Sequence, residues 1–160
     1  MKRYLLFILL FGYTCHMEAQ SIPSCSADDI MHRVQAGKDT VYIINFWATW
    51  CIPCVQELPE FNVIDKNYAG KPVKVILVSL DFKEGYPKLP FFLERKHINP
   101  SVVWLNETDP NVFIPKIEPR WEGSIPVTLI INPAKDERKF FEGTITSEQV
   151  ISATNQLIGK

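Results

Sequence analysis

Two cysteines separated by two residues give this sequence its clearest capacity for chemistry. Cys51 and Cys54 lie in the segment WCIPC at positions 50–54. Thiols at this spacing can close a small disulfide ring and exchange it with a disulfide or a dithiol of another molecule. If a helix begins here, the first cysteine lies near unpaired backbone N–H groups and the positive end of the helix dipole, which stabilise the reactive thiolate. The pattern predicts a candidate redox-active pair.

Other uses of a cysteine pair fit the sequence less well. A zinc site needs four ligands, but the remaining candidates Cys25, His32 and His97 have no ligand spacing. Attachment of a c-type haem requires a histidine directly after Cys54, where Val55 stands. A purely structural disulfide stays open, although so short a loop constrains the unfolded chain little. We therefore expect neither a metal nor a cofactor.

The elements beside the pair are a strand and a helix. Residues 40–47 (TVYIINFW) form a nearly continuous apolar run rich in β-branched and aromatic residues, which is typical of a strand covered on both faces. Residues 52–68 are predicted to form a helix that Pro59 kinks. Pro53 costs little because N–H groups in the first turn of a helix have no intrahelical partner. The pair therefore stands at a strand-to-helix junction.

The rest of the chain alternates between predicted helices and strands. We expect a helix from the N-cap Ser26 to about Gly37, strands at 73–80, 102–105, 127–132 and 138–142, a helix at 90–97, and a last helix from the capping box at Thr146 to Ile158. Residues 106–125 are predicted to be irregular, with Arg120 and Trp121 either shaping substrate choice or lying on a surface connection. This order predicts an α/β fold with a central mixed β-sheet flanked by helices.

The chain opens with the pattern of a signal peptide. Lys2 and Arg3 precede an apolar run at 4–13 (YLLFILLFGY), which is much shorter than the ~20 residues of a membrane-spanning helix. We predict a signal peptide at 1–19, cleaved after Ala19. An uncleaved anchor is the alternative.

Cys15 offers a further alternative at this end of the chain. A cysteine just after an apolar run can be the lipidated first residue of a bacterial lipoprotein, although the residues before Cys15 fit that signal poorly. Each of these interpretations places the domain outside the cytoplasm, where disulfides persist. We divide the remaining chain into an N-terminal extension and helix at 20–37 and a domain at 38–160. Cys25 has no predicted role.

The length and composition of the chain exclude several classes of protein. The chain has 160 residues, 46% of them hydrophobic, and a formal net charge of −1. This length predicts one domain with a sizeable core. The balanced charge gives no electrostatic reason to expect binding to nucleic acid. Four cysteines are too few for a fold that depends on a network of disulfides.

Two motifs resemble those of a known family. Residues 45–54 (NFWATWCIPC), followed by 57–59 (ELP), are similar to the active-site segment of the TlpA/ResA-like thiol–disulfide oxidoreductases, which belong to the thioredoxin-like superfamily. Residues 124–128 (SIPVT) resemble the family's cis-proline loop, and Gly143-Thr144 with the last helix fit the family's ending. The resemblance covers roughly residues 38–160 and implies a thioredoxin-like fold.

The resemblance also implies roles for individual residues. Cys51 would be the exposed nucleophile that attacks a partner's disulfide, and Cys54 the buried thiol that resolves the mixed disulfide. Pro126 would be the cis-proline beside them. Ile125 would offer its backbone to an extended substrate, and Trp50 would line the substrate surface.

The sequence differs from that of thioredoxins at two linked positions, Asn45 and Glu57. Thioredoxins usually have a buried aspartate where Asn45 stands, and an asparagine cannot take a proton. Glu57 lies three residues after Cys54, on the same face of the predicted helix. By spacing alone it is equally a solvated glutamate or a proton acceptor for Cys54. The resemblance favours the catalytic role, because TlpA/ResA-like members have a glutamate here.

The function implied is an exported oxidoreductase that reduces disulfides of envelope proteins, such as apocytochrome c in cytochrome c biogenesis. Its electrons would come from a membrane thiol donor of the DsbD/CcdA type in the periplasm or cell envelope of a bacterium. The alternatives are a disulfide-forming oxidant of the same fold, a copper-carrying thioredoxin-like protein, and a thiol peroxidase. The last two normally have a different cysteine arrangement.

Overall fold

One mixed sheet organises residues 21–159, which the computed structural model describes. Its six strands are β1 (Ser24–Cys25), β2 (Val41–Trp47), β3 (Val73–Ser79), β4 (Ser101–Leu105), β5 (Val127–Asn132) and β6 (Glu137–Glu142). They lie side by side in the order β1-β4-β3-β2-β5-β6. The first four are parallel neighbours, whereas β5 is antiparallel to both β2 and β6. The predicted α/β class and mixed sheet are confirmed.

Strand β2 lies near the middle of the sheet, and all seven of its residues are buried. Its side chains alternate between the two faces. Ile43 and Trp47 belong to one core cluster, and Ile44 and Phe46 belong to the other. Burial on both faces explains why the apolar run does not alternate with polar residues.

Helices cover both faces of the sheet. They are α1 (Ala27–Ala36), α2 (Ile52–Asn67), α3 (Leu89–Lys96), α4 (Pro110–Ile117) and α5 (Ser147–Ile158). Helices α2, α3 and α5 pack in the cluster that contains Trp47, whereas α1 and α4 pack in the cluster that contains Phe46. No helix in residues 21–159 has both the length and the apolar content needed to span a membrane.

The capping patterns predicted from the sequence are present. The Ser26 side chain accepts a hydrogen bond from the backbone N–H of Asp29, and the Asp29 carboxylate accepts one from the Ser26 N–H. Thr146 and Gln149 form the same reciprocal pair at the start of α5. Helix α2 continues through Pro59 as a single element.

The prediction for residues 106–125 was partly wrong, because this segment contains α4. The side chain of Asp109 caps the helix by accepting a hydrogen bond from the N–H of Asn111 at 2.9 Å. Pro110 occupies the first helical position, where its missing N–H costs nothing. The prolines that suggested an irregular segment therefore include one, Pro110, that begins a helix.

Strand β1 was also not predicted. The turn-like residues around Ser24 instead pair with β4, and the N–H of Trp104 donates to the carbonyl of Pro23 at 2.8 Å. Two residues are too few to show a strand pattern in sequence. The signal peptide proposed at 1–19 and the lipid-attachment candidate Cys15 lie outside the described residues, and the division at 37/38 stays a prediction.

Removing the cap of α4 tests this account of the segment. We expect Asp109→Ala to lower the free energy of unfolding by about 1 kcal/mol, because an N–H in the first turn loses its acceptor. Asp109→Ser retains an acceptor and is the matched control. Urea unfolding followed by tryptophan fluorescence measures both variants, and equal losses would contradict the capping role.

Candidate active site

A disulfide joins Cys51 and Cys54 where β2 passes into α2. Cys51 is the N-cap of the helix, and its sulfur accepts a hydrogen bond from the N–H of Cys54 at 3.3 Å. Pro53 lies in the first turn. In the reduced protein, this N–H and the helix dipole would favour a thiolate on Cys51. The Cys51 sulfur therefore lies where the sequence predicted, at a helix start and beside a backbone N–H that can stabilise a thiolate.

Cys51 is less exposed than the resemblance implied. Only 6% of its surface is accessible, and Cys54 is fully buried. The Cys51 sulfur lies 3.8 Å from the carbonyl oxygen of Ile125, which covers it on one side. The Ile125 backbone thus bounds the space around the Cys51 sulfur on that side.

The loop that carries Ile125 contains a cis peptide bond between Ile125 and Pro126. Pro126 is buried and Ile125 half-buried. The structure therefore brings together the two segments that carried the family resemblance, although they are more than 70 residues apart in sequence. The carbonyl of Ile125 thus lies directly beside the disulfide.

Glu57 is a buried carboxyl group, not a solvated surface glutamate. It is 5% exposed and lies one helical turn after Cys54. Its Oε1 accepts a hydrogen bond from Asn45 Nδ2 at 2.8 Å, and its Oε2 accepts one from the N–H of Ile145 at 3.0 Å. Burial raises the pKa of Glu57 to about 7, and the two hydrogen bonds oppose that rise.

Asn45 completes this buried polar group. Besides Glu57, its Nδ2 lies 3.1 Å from Thr128 Oγ1 and 3.3 Å from the carbonyl of Val127 on β5. Its Oδ1 is buried without a hydrogen-bond partner among the described residues. Asn45 thus links the Glu57 carboxyl group to the strand that follows Pro126.

A second carboxylate, which the sequence analysis missed, holds the turn before Cys51. Asp81 is buried and accepts hydrogen bonds from the N–H and the hydroxyl of Thr49, the N–H at 3.1 Å. It also accepts one from the Ser79 hydroxyl at 2.7 Å. An aspartate two residues past a buried parallel strand was the available signal, because carboxyl ends of such strands meet at one edge of a sheet.

The two tryptophans near the pair differ in exposure. Trp47 is fully buried in the core, whereas Trp50 is 54% exposed. The Trp50 ring stacks on Phe82, which is 64% exposed, with 5.9 Å between the ring centroids. Phe82 was not a candidate from sequence. Together the two rings form an exposed aromatic surface beside Cys51.

The remaining cysteine of the described residues is not part of the pair. Cys25 is a half-buried free thiol on β1, and burial raises its pKa to about 11. Within residues 21–159, no three histidine, cysteine or acidic side chains lie close enough together to form a metal site. Arg120 pairs with the buried Glu118 at 2.7 Å.

Comparison with known families matches residues 19–136 to the AhpC/TSA family. The chain belongs to the AhpC/TSA family. One relative is the thiol-disulfide oxidoreductase ResA of Geobacillus thermodenitrificans, which is 27% identical over 94% of this chain and 90% of its own length.

Solved structures share the fold of this AhpC/TSA member. A thiol:disulfide interchange protein of the thioredoxin family from Chlorobium tepidum superposes with a TM-score of 0.64 at 20% identity, covering 78% of this chain and 83% of its own. A thioredoxin-related protein from Neisseria meningitidis gives 0.65 at 22%, covering 77% and 88%. The thioredoxin-like fold is therefore confirmed, and with its CxxC disulfide this AhpC/TSA protein is a thiol–disulfide oxidoreductase.

The ionisation of Glu57 gives a testable pH dependence of stability. Because folding raises the pKa of Glu57 from its ordinary 4.5 to about 7, the folded state holds a proton that the unfolded chain releases. Its contribution to stability is complete below about pH 4.5 and is lost as pH rises through about 7. Between pH 5 and pH 8, we expect the free energy of unfolding of the oxidised protein to fall by about 1–3 kcal/mol more than that of the Glu57→Gln variant.

Urea unfolding at the two pH values measures this difference. Glu94→Gln, which removes an exposed carboxylate on α3, is the matched control and should follow the unaltered protein. An equal loss of stability in Glu57→Gln and the unaltered protein would rule out the raised pKa.

Proposed function

We propose that this thiol–disulfide oxidoreductase reduces disulfides of exported proteins in a bacterial cell envelope. The observation that carries the proposal is the buried carboxyl group of Glu57, one turn after Cys54. Because its pKa is about 7, a large fraction is ionised at neutral pH and can accept the proton that Cys54 must lose. The reducing direction is supported by the resemblance of residues 45–54 and 124–128 to the TlpA/ResA-like proteins.

The proposed reaction begins with the reduced pair. The Cys51 thiolate attacks one sulfur of the substrate disulfide; that S–S bond breaks, a mixed disulfide forms, and the leaving thiolate takes a proton from water. Cys54 then gives its proton to the Glu57 carboxylate, and its sulfur attacks the Cys51 sulfur. The second substrate thiolate leaves and is protonated. Two electrons pass from the pair to the substrate, and the Cys51–Cys54 disulfide is restored.

Trp50, Ile125 and Pro126 are proposed to bind the substrate. The Ile125 carbonyl is 3.8 Å from the Cys51 sulfur, so a polypeptide joined to Cys51 would lie along this loop. Its backbone can pair with Ile125 in an extended conformation. The exposed ring of Trp50, the residue before Cys51, offers apolar surface in the same cleft that Ile125 lines.

The proposed location rests on the signal-peptide pattern, and the proposed electron supply rests on the family resemblance. The proposed signal peptide at 1–19, or lipidation at Cys15, would place residues 38–160 in the periplasm or cell envelope. Disulfides persist there, so a reductant has substrates, including apocytochrome c and other envelope proteins. A membrane thiol donor of the DsbD/CcdA type would regenerate the reduced pair.

The reduction potential of the Cys51/Cys54 pair distinguishes a reductant from an oxidant. We expect a value near the ~−270 mV of thioredoxin, whereas a disulfide-forming oxidant would lie near ~−120 mV. Equilibration with glutathione and dithiothreitol buffers, followed by thiol quantification, gives this potential. Cys25→Ser removes the free thiol and serves as the control. A value near that of the oxidant would overturn the proposed direction.

Reduction kinetics test the role of Glu57. We expect Glu57→Gln to slow reduction of insulin disulfides by about 10- to 100-fold at pH 7, because the resolving thiol loses its proton acceptor. The rate of the unaltered protein should rise through about pH 7, and this inflection should be absent in Glu57→Gln. Glu94→Gln is the control. A variant that keeps the inflection would show that Glu57 has only a structural role.

A further inference from the structure

An apolar cleft of about 230 Å³ opens beside the disulfide. Its inner side is formed by the buried side chains of Trp104, Phe113 and Trp121, and the exposed rings of Trp50 and Phe82 stand at its rim. We refer to these five residues as the aromatic cleft. Helix α4, which the sequence did not predict, supplies one of its walls.

The aromatic cleft is continuous with the reacting sulfur. Trp50 is the residue before Cys51, and Ile125 also lines the cleft. Because the Ile125 carbonyl is 3.8 Å from the Cys51 sulfur, both residues flank the bond that a substrate must form. A residue next to the substrate's cysteine therefore reaches the mouth of the cleft.

The indole N–H groups inside the cleft already have acceptors. Trp104 Nε1 donates to the carbonyl of Asp81 at 2.7 Å, and Trp121 Nε1 donates to the carbonyl of Ser124 at 2.7 Å. A polar side chain that entered would lose its hydrogen bonds to water and find neither of these two buried indole donors free. Such uncompensated burial is unfavourable.

The two carboxylates at the cleft are also occupied. Asp81 accepts hydrogen bonds from Thr49 and Ser79. Glu107 accepts one from the N–H of Ala27 at 2.5 Å and lies 3.6 Å from the ammonium of Lys116. Both carboxylates therefore already have partners, and neither requires a cationic side chain from a ligand. The cleft is better matched to an apolar side chain than to a charged one.

The volume identifies the kind of occupant. Pockets that enclose whole small molecules usually measure about 300–1,000 Å³, so a cleft of 230 Å³ is better suited to one side chain. We propose that the aromatic cleft binds an apolar side chain next to the reacting cysteine of the substrate protein. This inference rests on the proposed function, because it concerns the same disulfide.

Two homodimeric peptide disulfides test the proposal. Each peptide has one cysteine, flanked on both sides by leucine in one peptide and by the similarly shaped asparagine in the other. A homodimer presents the same neighbours whichever sulfur is attacked. We expect the reduced protein to reduce the leucine peptide about tenfold faster, after division by the rates with dithiothreitol.

Placing a charge in the cleft tests whether the cleft causes the preference for the leucine peptide. Ile114 is half-buried on α4 and lines the cleft, so Ile114→Asp should bring the leucine-to-asparagine ratio close to one. Val112→Asp, an exposed position on the same helix and outside the cleft, should keep the ratio. If Ile114→Asp does not fold by circular dichroism, Phe82→Ser provides the same test at the rim.

The outcomes separate this inference from the proposed function. Failure to reduce either peptide would overturn the proposed function itself. Reduction of both at equal normalised rates, or a ratio that survives Ile114→Asp or Phe82→Ser, would overturn the cleft proposal alone. A dimer in sedimentation experiments that Ile114→Asp dissociates, without peptide preference, would assign the cleft to a second copy of this chain.

Discussion

The carboxyl group of Glu57 joins three parts of the molecule that are distant in sequence. It belongs to α2, accepts a hydrogen bond from Asn45 on β2, and accepts another from the N–H of Ile145 ahead of α5. Burying an acid is unfavourable unless it is protonated or hydrogen-bonded. These two donors therefore restrict where α2 can lie on the sheet, and α2 contains Cys54 and begins directly after its N-cap Cys51.

The environment that holds Glu57 also links the two halves of the site. Asn45 contacts Thr128 on β5, the strand that begins directly after Pro126. The position of the cis-proline loop and that of the helix with the cysteines thus share one buried polar group. On the other side of Cys51, Asp81 fixes Thr49. Cys51 follows Thr49 in the chain and caps α2, so it lies between these two anchored segments.

The sequence predicted the parts of this arrangement that depend on local patterns. The apolar run of β2, the helix start at Cys51, the N-cap at Ser26 and the capping box at Thr146 have signals within a few residues. Strand β1 and the role of Asp81 depend on partners far along the chain, which a single sequence does not reveal. Helix α4 had a local signal in Asp109 and Pro110, but the neighbouring prolines obscured it. The closeness of Ile125 to Cys51 was reached through family resemblance and not through physics.

The position of strand β1 also affects the reactivity of the free thiol of Cys25. By pairing with β4 it holds Cys25 half-buried, with its sulfur 3.7 Å from the carbonyl of Trp104. A thiol whose pKa is about 11 is almost entirely protonated at neutral pH and reacts slowly in exchange. The pairing of β1 with β4 therefore makes Cys25 a weaker nucleophile than an exposed thiol would be.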